Sequence, residues 1–494
     1  MNNIVVLGVD GLNPELVRQW LDSMPNLKEM QQAGIWGEIE STVPPIGAPA
    51  WTSAQCGRNP GAYGFWNYTY RDDFSYGEPK FVNSRTIDER VDRFYKILPK
   101  MGQKVVLINV PMSYPPPKIP GGYCIAGHNS SMPEGNLIWP ERLIDEIENL
   151  VVEYIPDIAE SGSDNKSTDG DKLVKRIYDM DTQRFTLLKY FIHEKKCDCV
   201  FAVITGCVVI SQLLLRYTDE EHRFYDPDFS YANTLKDYYV WIDKQIGKIR
   251  GMLPGDTVLF LLSAFSLQRC DGRINLNEWL IQEGYMTLYE YPSQPTGLKD
   301  LNVNWTNTKA WSTGDSGQIY LNLKGRESEG IVDPNDYDKV LDELADKLQG
   351  ITDERGKGLN TEVFWRDDIH SGPYAEYGPD LFVRFNGYRW NTNELVGHGR
   401  GNLYSFDTKE APGDESHGPY GYFSIAGRDI PPKGKLKGIS LLNSAPTILD
   451  IMGVKIPEDM EGSSILEMAR EKKEEKPPAK VESAVRSRLD LLGY

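Results

Sequence analysis

Few side chains in this sequence combine the type and the spacing that chemistry needs. Cys197 and Cys199 flank Asp198, and thiolates and carboxylates bind metals. A closed zinc site takes four such ligands, usually as two pairs. No second pair follows, so the plainer reading is buried thiols in and beside an apolar run, with Cys207 close by. The phrase PPIGAPAW opens a helix near Ala48-Pro49. Proline in a first turn lacks only an N–H that has no helical partner. Gly47 leaves the mouth of the helix clear, so its free N–H groups offer a resting place for a phosphate or carboxylate without metal. Thr52 and Ser53 are the nearest hydroxyls, about a turn further into the helix.

These residues must be positioned by a larger frame. Short runs rich in Val, Ile, Leu and Phe occur at 3–9, 104–110, 199–205 and 257–263. They do not alternate polar with apolar, as expected of strands covered on both faces. Helical patterns such as NPELVRQWLDSMPNLKEMQQAG and YANTLKDYYVWIDKQIGKIRGML separate them. Alternating strand and helix predicts an α/β fold with a doubly wound, mostly parallel sheet. The pattern breaks over 270–375, where a helix (INLNEWLIQEG), a strand (GQIYLNLKG) and another helix (DYDKVLDELADKLQG) suggest an insertion covering one edge. The sheet is expected to resume at PDLFVRFNG and GYFSIAG, so 1–269 and 376–466 form the core. Residues 160–171 read as a solvated loop, and 467–494 as a charged, Pro-containing linker with a closing helix.

The net charge of -18 disfavours nonspecific binding to nucleic acid or anionic membranes, which need positive potential. No apolar run approaches the ~18 residues of a membrane span. The first apolar run stops at Asp10 without a basic leader and reads as a strand, not a signal peptide. Six cysteines in a chain of 494 residues make no disulfide framework, so a cytoplasmic location is expected.

Seven phrases, in order from residue 4 to about 466, carry a resemblance. They are VLGVDGLNPELVRQW, MPNLKEMQQAGIWGEIESTVPP, PAWTS, GRNPGAYG, INLNEWLIQEGYM, IYLNLKGRESEGIV and SAPTILDIMGVKIPEDMEGSSIL. The ordered set resembles the type I phosphodiesterase and nucleotide pyrophosphatase branch of the alkaline phosphatase superfamily. The resemblance implies two divalent metals at the carboxyl ends of the strands. These activate a Ser or Thr nucleophile and clamp the phosphoryl oxygens.

Each position implied by the resemblance can be located. The first ligand is Asp10, which also suits a cap on a strand-to-helix turn. The nucleophile position, between the paired prolines and PAW, is Gly47. The next ligand pair falls on Val208 and Gln212, and the pair after it on Ala264 and Phe265. The last ligand is His417 in ESHGPYGYF, which otherwise reads as a loop histidine. No Asp, Glu or His lies within 199–217 or 257–270, and Asp219 and Asp271 sit beyond the strand ends. Asp10 and His417 serve different metals in the family's geometry, so no zinc, manganese or magnesium cofactor is expected.

The remnant pocket is expected to collapse around Phe265 and Val208, although a small anionic ligand at the helix mouth is kept open. The implied function is that of a pseudoenzyme, a binding, regulatory or structural subunit whose partner is another protein. The alternative is a phosphodiesterase or phosphohydrolase with an atypical site and divalent metals.

Overall fold

In the computed structural model, the described residues are 2–127, 136–158, 170–399, 401–406 and 415–471. Of the linker and closing helix expected over 467–494, residues 467–471 belong to a helix, Ile465–Glu471; the rest, and nearly all of the loop expected at 160–171, lie outside the described residues.

Nine strands form the central sheet. They are β1 (Asn3–Val9), β2 (Ile35–Glu40), β3 (Val105–Val110), β4 (Tyr123–Ala126), β5 (Ile138–Trp139), β6 (Cys199–Ile204), β7 (Thr257–Leu262), β8 (Tyr420–Gly427) and β9 (Gly434–Ser440). Their order is β9-β2-β8-β7-β1-β6-β3-β4-β5. The central run β7-β1-β6-β3-β4 is parallel throughout. β8 is antiparallel to both β2 and β7. The sheet is therefore mixed but mostly parallel.

Helices cover both faces, which is why β1, β3, β6 and β7 read as continuous apolar runs. Along β1, Val5, Leu7 and Val9 face one layer. Ile4 and Val6 face the other. The first layer holds α2 (Gly170–His193) and α4 (Thr234–Met252), which bury Leu187, Phe191, Leu235 and Ile246. The second holds α1 (Gly47–Cys56), which buries Ala50, Trp51 and Ala54. Between α2 and α4 in sequence lies α3 (Gly206–Leu214), directly after β6.

A smaller layer has its own core. Its four-stranded antiparallel sheet runs Ala310–Thr313, Gln318–Leu321, Leu381–Arg384, Glu362–Trp365. Helix α5 (Tyr337–Gln349) packs on it through Leu341, Leu344 and Leu348. PDLFVRFNG thus belongs to this layer and does not rejoin the central sheet as expected. The reason is local. Phe364 and Phe382 are cross-strand partners. Fully buried Asp380, at the head of the strand, is bound by Arg326, Arg366 and the Leu321 N–H. GYFSIAG does enter the central sheet, as β8.

Candidate functional site at the carboxyl ends of the strands

Asp10 follows β1, Val208 lies in the first turn of α3 after β6, and Ala264-Phe265 follow β7. These strands are parallel neighbours, so the three segments meet at one edge of the sheet. A Cβ built on Gly11 would stand 3.2 Å from Val208 Cβ, which brings the two turns into contact. Gln212 sits one turn further along α3. The Ser263 hydroxyl donates to Phe265 O at 2.6 Å and accepts from Leu12 N at 3.1 Å, tying the two loops together.

Gly47 is the first residue of α1 and is buried. A Cβ there would meet Tyr68 Oη at 2.5 Å and Phe265 Cε1 at 3.7 Å. The tyrosine hydroxyl and the phenylalanine edge occupy the space a nucleophilic side chain would need. Phe265 also contacts His417 edge to face, with ring centroids 4.5 Å apart. His417 lies on a short strand, Glu415–Gly418, paired antiparallel with Ser266–Arg269. That pairing, not a loop, holds it beside Phe265. The helix mouth, kept open above as a place for a small anion, is therefore partly filled by Tyr68.

The electrostatics differ from those of an ionised cluster. Asp10 Oδ1 accepts from Trp51 Nε1 at 2.8 Å. Burial nevertheless pushes the Asp10 carboxyl up to about 7, against the Trp51 hydrogen bond and with a further contribution from Asp157. Burial lowers the pKa of His417, and Asp315 partly opposes this. An imidazole of lowered pKa is neutral near pH 7 and can accept a proton.

A divalent pair requires several converging donors. Val208, Ala264 and Phe265 carry none, and Ala264 is fully buried. Among the described residues no group of three or more His, Cys, Asp or Glu is placed to hold a metal ion. The donors Asp10 and His417 do not fit the metal pair, because even open zinc sites take three protein ligands. Asp219 and Asp271 are committed to Arg269, at 2.9 and 2.6 Å. Cys197 and Cys199 are buried, and desolvation pushes the Cys197 thiol up to about 12. Thr52 is fully buried within α1, and Ser53 Oγ is bonded to Arg58 O and Tyr63 Oη.

Beyond Phe265 the pocket remains open. A cleft of about 660 Å³ between the core and the smaller layer is lined by Tyr68, Arg273, Asp315, Asn393, His398 and His417, among others. Sequence reasoning missed Tyr68, Trp51 and Asp315. Asp315 lies on a turn after the Ala310–Thr313 strand, and no spacing signal links it to His417. The lining offers hydrogen-bond donors and acceptors from both charged and neutral side chains.

The model of the family described as type I phosphodiesterase / nucleotide pyrophosphatase matches residues 4–383. No curated protein matches the chain. Among solved structures, phosphonoacetate hydrolase from Sinorhizobium meliloti 1021, in complex with phosphonoacetate, is 13% identical, with a TM-score of 0.56 over 92% of this chain and 95% of that one. Human ectonucleotide pyrophosphatase / phosphodiesterase 5 is 11% identical, with a TM-score of 0.48 over 93% and 97%. The former likeness is one of fold. No helix among the described residues is long and apolar enough to cross a membrane.

Proposed function

This chain belongs to the type I phosphodiesterase / nucleotide pyrophosphatase family, and from that membership we propose a member that has given up metal-assisted phosphoryl chemistry and acts by binding. The observation that carries the reading is Gly47. It has no side chain to attack phosphorus, and Tyr68 Oη stands 2.5 Å from where a Cβ would lie. Without a metal set or an attacking hydroxyl, neither nucleophile activation nor leaving-group stabilisation is available. The surrounding fold is kept, which supports a role for its surface as a binding, regulatory or structural subunit of another protein. Six free, buried cysteines support a reducing, cytoplasmic setting. The test is elemental analysis of the purified protein beside turnover of bis(p-nitrophenyl) phosphate with zinc, manganese or magnesium. Well under one ion per chain and no turnover are expected. Two stoichiometric ions, or turnover with any of the three, would sink the reading.

A second reading rests on the open cleft. Tyr68, Asp315 and His417 line one cavity, and an imidazole open to a cleft is a candidate general base. An atypical phosphodiesterase built on these groups would hydrolyse the diester without metal and lose that activity in His417→Ala. Turnover that survives His417→Ala would exclude it.

A further inference from the structure

The phrase IYLNLKGRESEGIV has no part in the strand-end site. It builds a second cavity, of about 520 Å³, on the smaller layer. Its lining includes residues 323–326, Pro334, Tyr337 and Arg366. The turn is rigid. Glu327 is buried and accepts the Leu323 N–H at 2.9 Å, while the Lys324 N–H donates to Val332 O at 2.8 Å. Gly325 has φ +88, and a Cβ built on it meets nothing within 4 Å, so the backbone is open there.

Lys324, Arg326, Arg366 and Glu376 line the cavity, and the carboxylates of Glu327, Asp367 and Asp380 pair with the two arginines. The guanidiniums are fixed from behind. Both Arg326 and Arg366 bind Asp380, at 2.7 and 2.9 Å, and Tyr337 Oη donates to the same carboxylate at 2.8 Å. Arg326 Nε and Arg366 Nε are held by Glu327 and Asp367. Each terminal guanidinium nitrogen carries two N–H groups. Arg326 Nη1 and Arg366 Nη1 each spend one on Asp380. The other N–H on each has no partner among the described residues. Lys324 is exposed and has no ion-pair partner among the described residues. Its compact ammonium beside the remaining guanidinium N–H groups is a donor set suited to phosphate oxygens.

We propose that this cavity binds a small phosphorylated molecule, its phosphate held by Lys324, Arg326 and Arg366. The inference is independent of the strand-end site. Its volume falls in the usual range for small-molecule sites, roughly 300–1,000 Å³.

The test is calorimetric titration of the full chain with inorganic phosphate and pyrophosphate at constant ionic strength. Saturable binding is expected, weakened roughly tenfold or more by Lys324→Glu. Binding should be unchanged in His417→Ala, which alters only the other cleft. The thermal unfolding of Lys324→Glu should match the wild type, because Lys324 is exposed and has no ion-pair partner among the described residues. The absence of saturable heat with either anion would overturn the proposal. So would binding that survives Lys324→Glu or disappears in His417→Ala. Citrate binding as tightly as pyrophosphate would overturn the phosphate assignment.

Discussion

Tyr68 filling the nucleophile position predicts a change of sign. Gly47 lies in the first turn of α1, where replacing glycine by alanine restricts the unfolded chain and stabilises by about 0.4–1 kcal/mol. In the wild type that gain is opposed by the 2.5 Å approach of Tyr68 Oη to the new Cβ, an overpacking of about 1–3 kcal/mol. Gly47→Ala should therefore be neutral to destabilising, by up to about 2.5 kcal/mol. Tyr68→Phe removes the offending oxygen and leaves Tyr68 Cζ at 3.6 Å and Phe265 Cε1 at 3.7 Å, ordinary contacts. In that background the same Gly47→Ala change should stabilise, and the coupling energy of the cycle should be about 1–3 kcal/mol. The measurement is urea unfolding of the four proteins by far-ultraviolet circular dichroism, comparing midpoints at unchanged slope. Equal effects of Gly47→Ala in both backgrounds would refute the placement of Tyr68.

Three further outcomes are expected. Gly47→Ser alone should leave diester turnover at the wild-type level with any divalent metal, since its hydroxyl stays protonated without a base or ion; a clear rise would reveal an activating group at the pocket. His370 is 5% exposed, its Nε2 bonds to Val43 O at 2.9 Å, and burial lowers its pKa from 6.5 to about 4. The unfolded chain thus binds the extra proton first, so this contribution is complete above about 6.5, declines as pH falls towards about 4, and amounts to about 3 kcal/mol. His370→Gln should flatten its share of that decline in urea midpoints; His222, also lowered to about 4, titrates in the same window and keeps the rest. Asp380→Asn leaves Arg326 and Arg366 short of their buried counter-charge and should cost about 3–5 kcal/mol in thermal unfolding, whereas a loss within error would mean that the network contributes little.

Much of the frame is legible in the sequence because β1, β3, β6 and β7 are covered on both faces. Sandwiched strands are written as apolar runs, and the observed bounds fall within a residue of those runs. The assignment of PDLFVRFNG failed for a related reason. An apolar run states that a strand is buried but not against which sheet, and the deciding contacts came from Arg326 and Arg366. At the candidate site, the positions of Gly47, Val208, Ala264 and Phe265 emerge from ordered phrases around parallel strand ends. Tyr68 and Asp315 were not legible. Each reaches the cleft from a connection whose path depends on tertiary packing, and neither carries a local pattern.

The burial of Ala264 has an evolutionary consequence. It is fully buried at the end of β7, beside Phe265, which also packs on His417. A mutation to Asp there would place a carboxylate against apolar neighbours with no cation to meet it, and an uncompensated buried charge costs several kcal/mol or forces protonation. Against a total stability of about 5–15 kcal/mol, a first step towards a metal site at this position is a step towards unfolding. A histidine at 265 would gain no ligand role until that carboxylate, an aspartate at 208 and an ion were all in place. The changes must arrive together, while evolution supplies them singly. The packed strand end thus acts as a ratchet: it resists the gain of a metal site by single substitutions, because each intermediate loses stability before any ion can repay it.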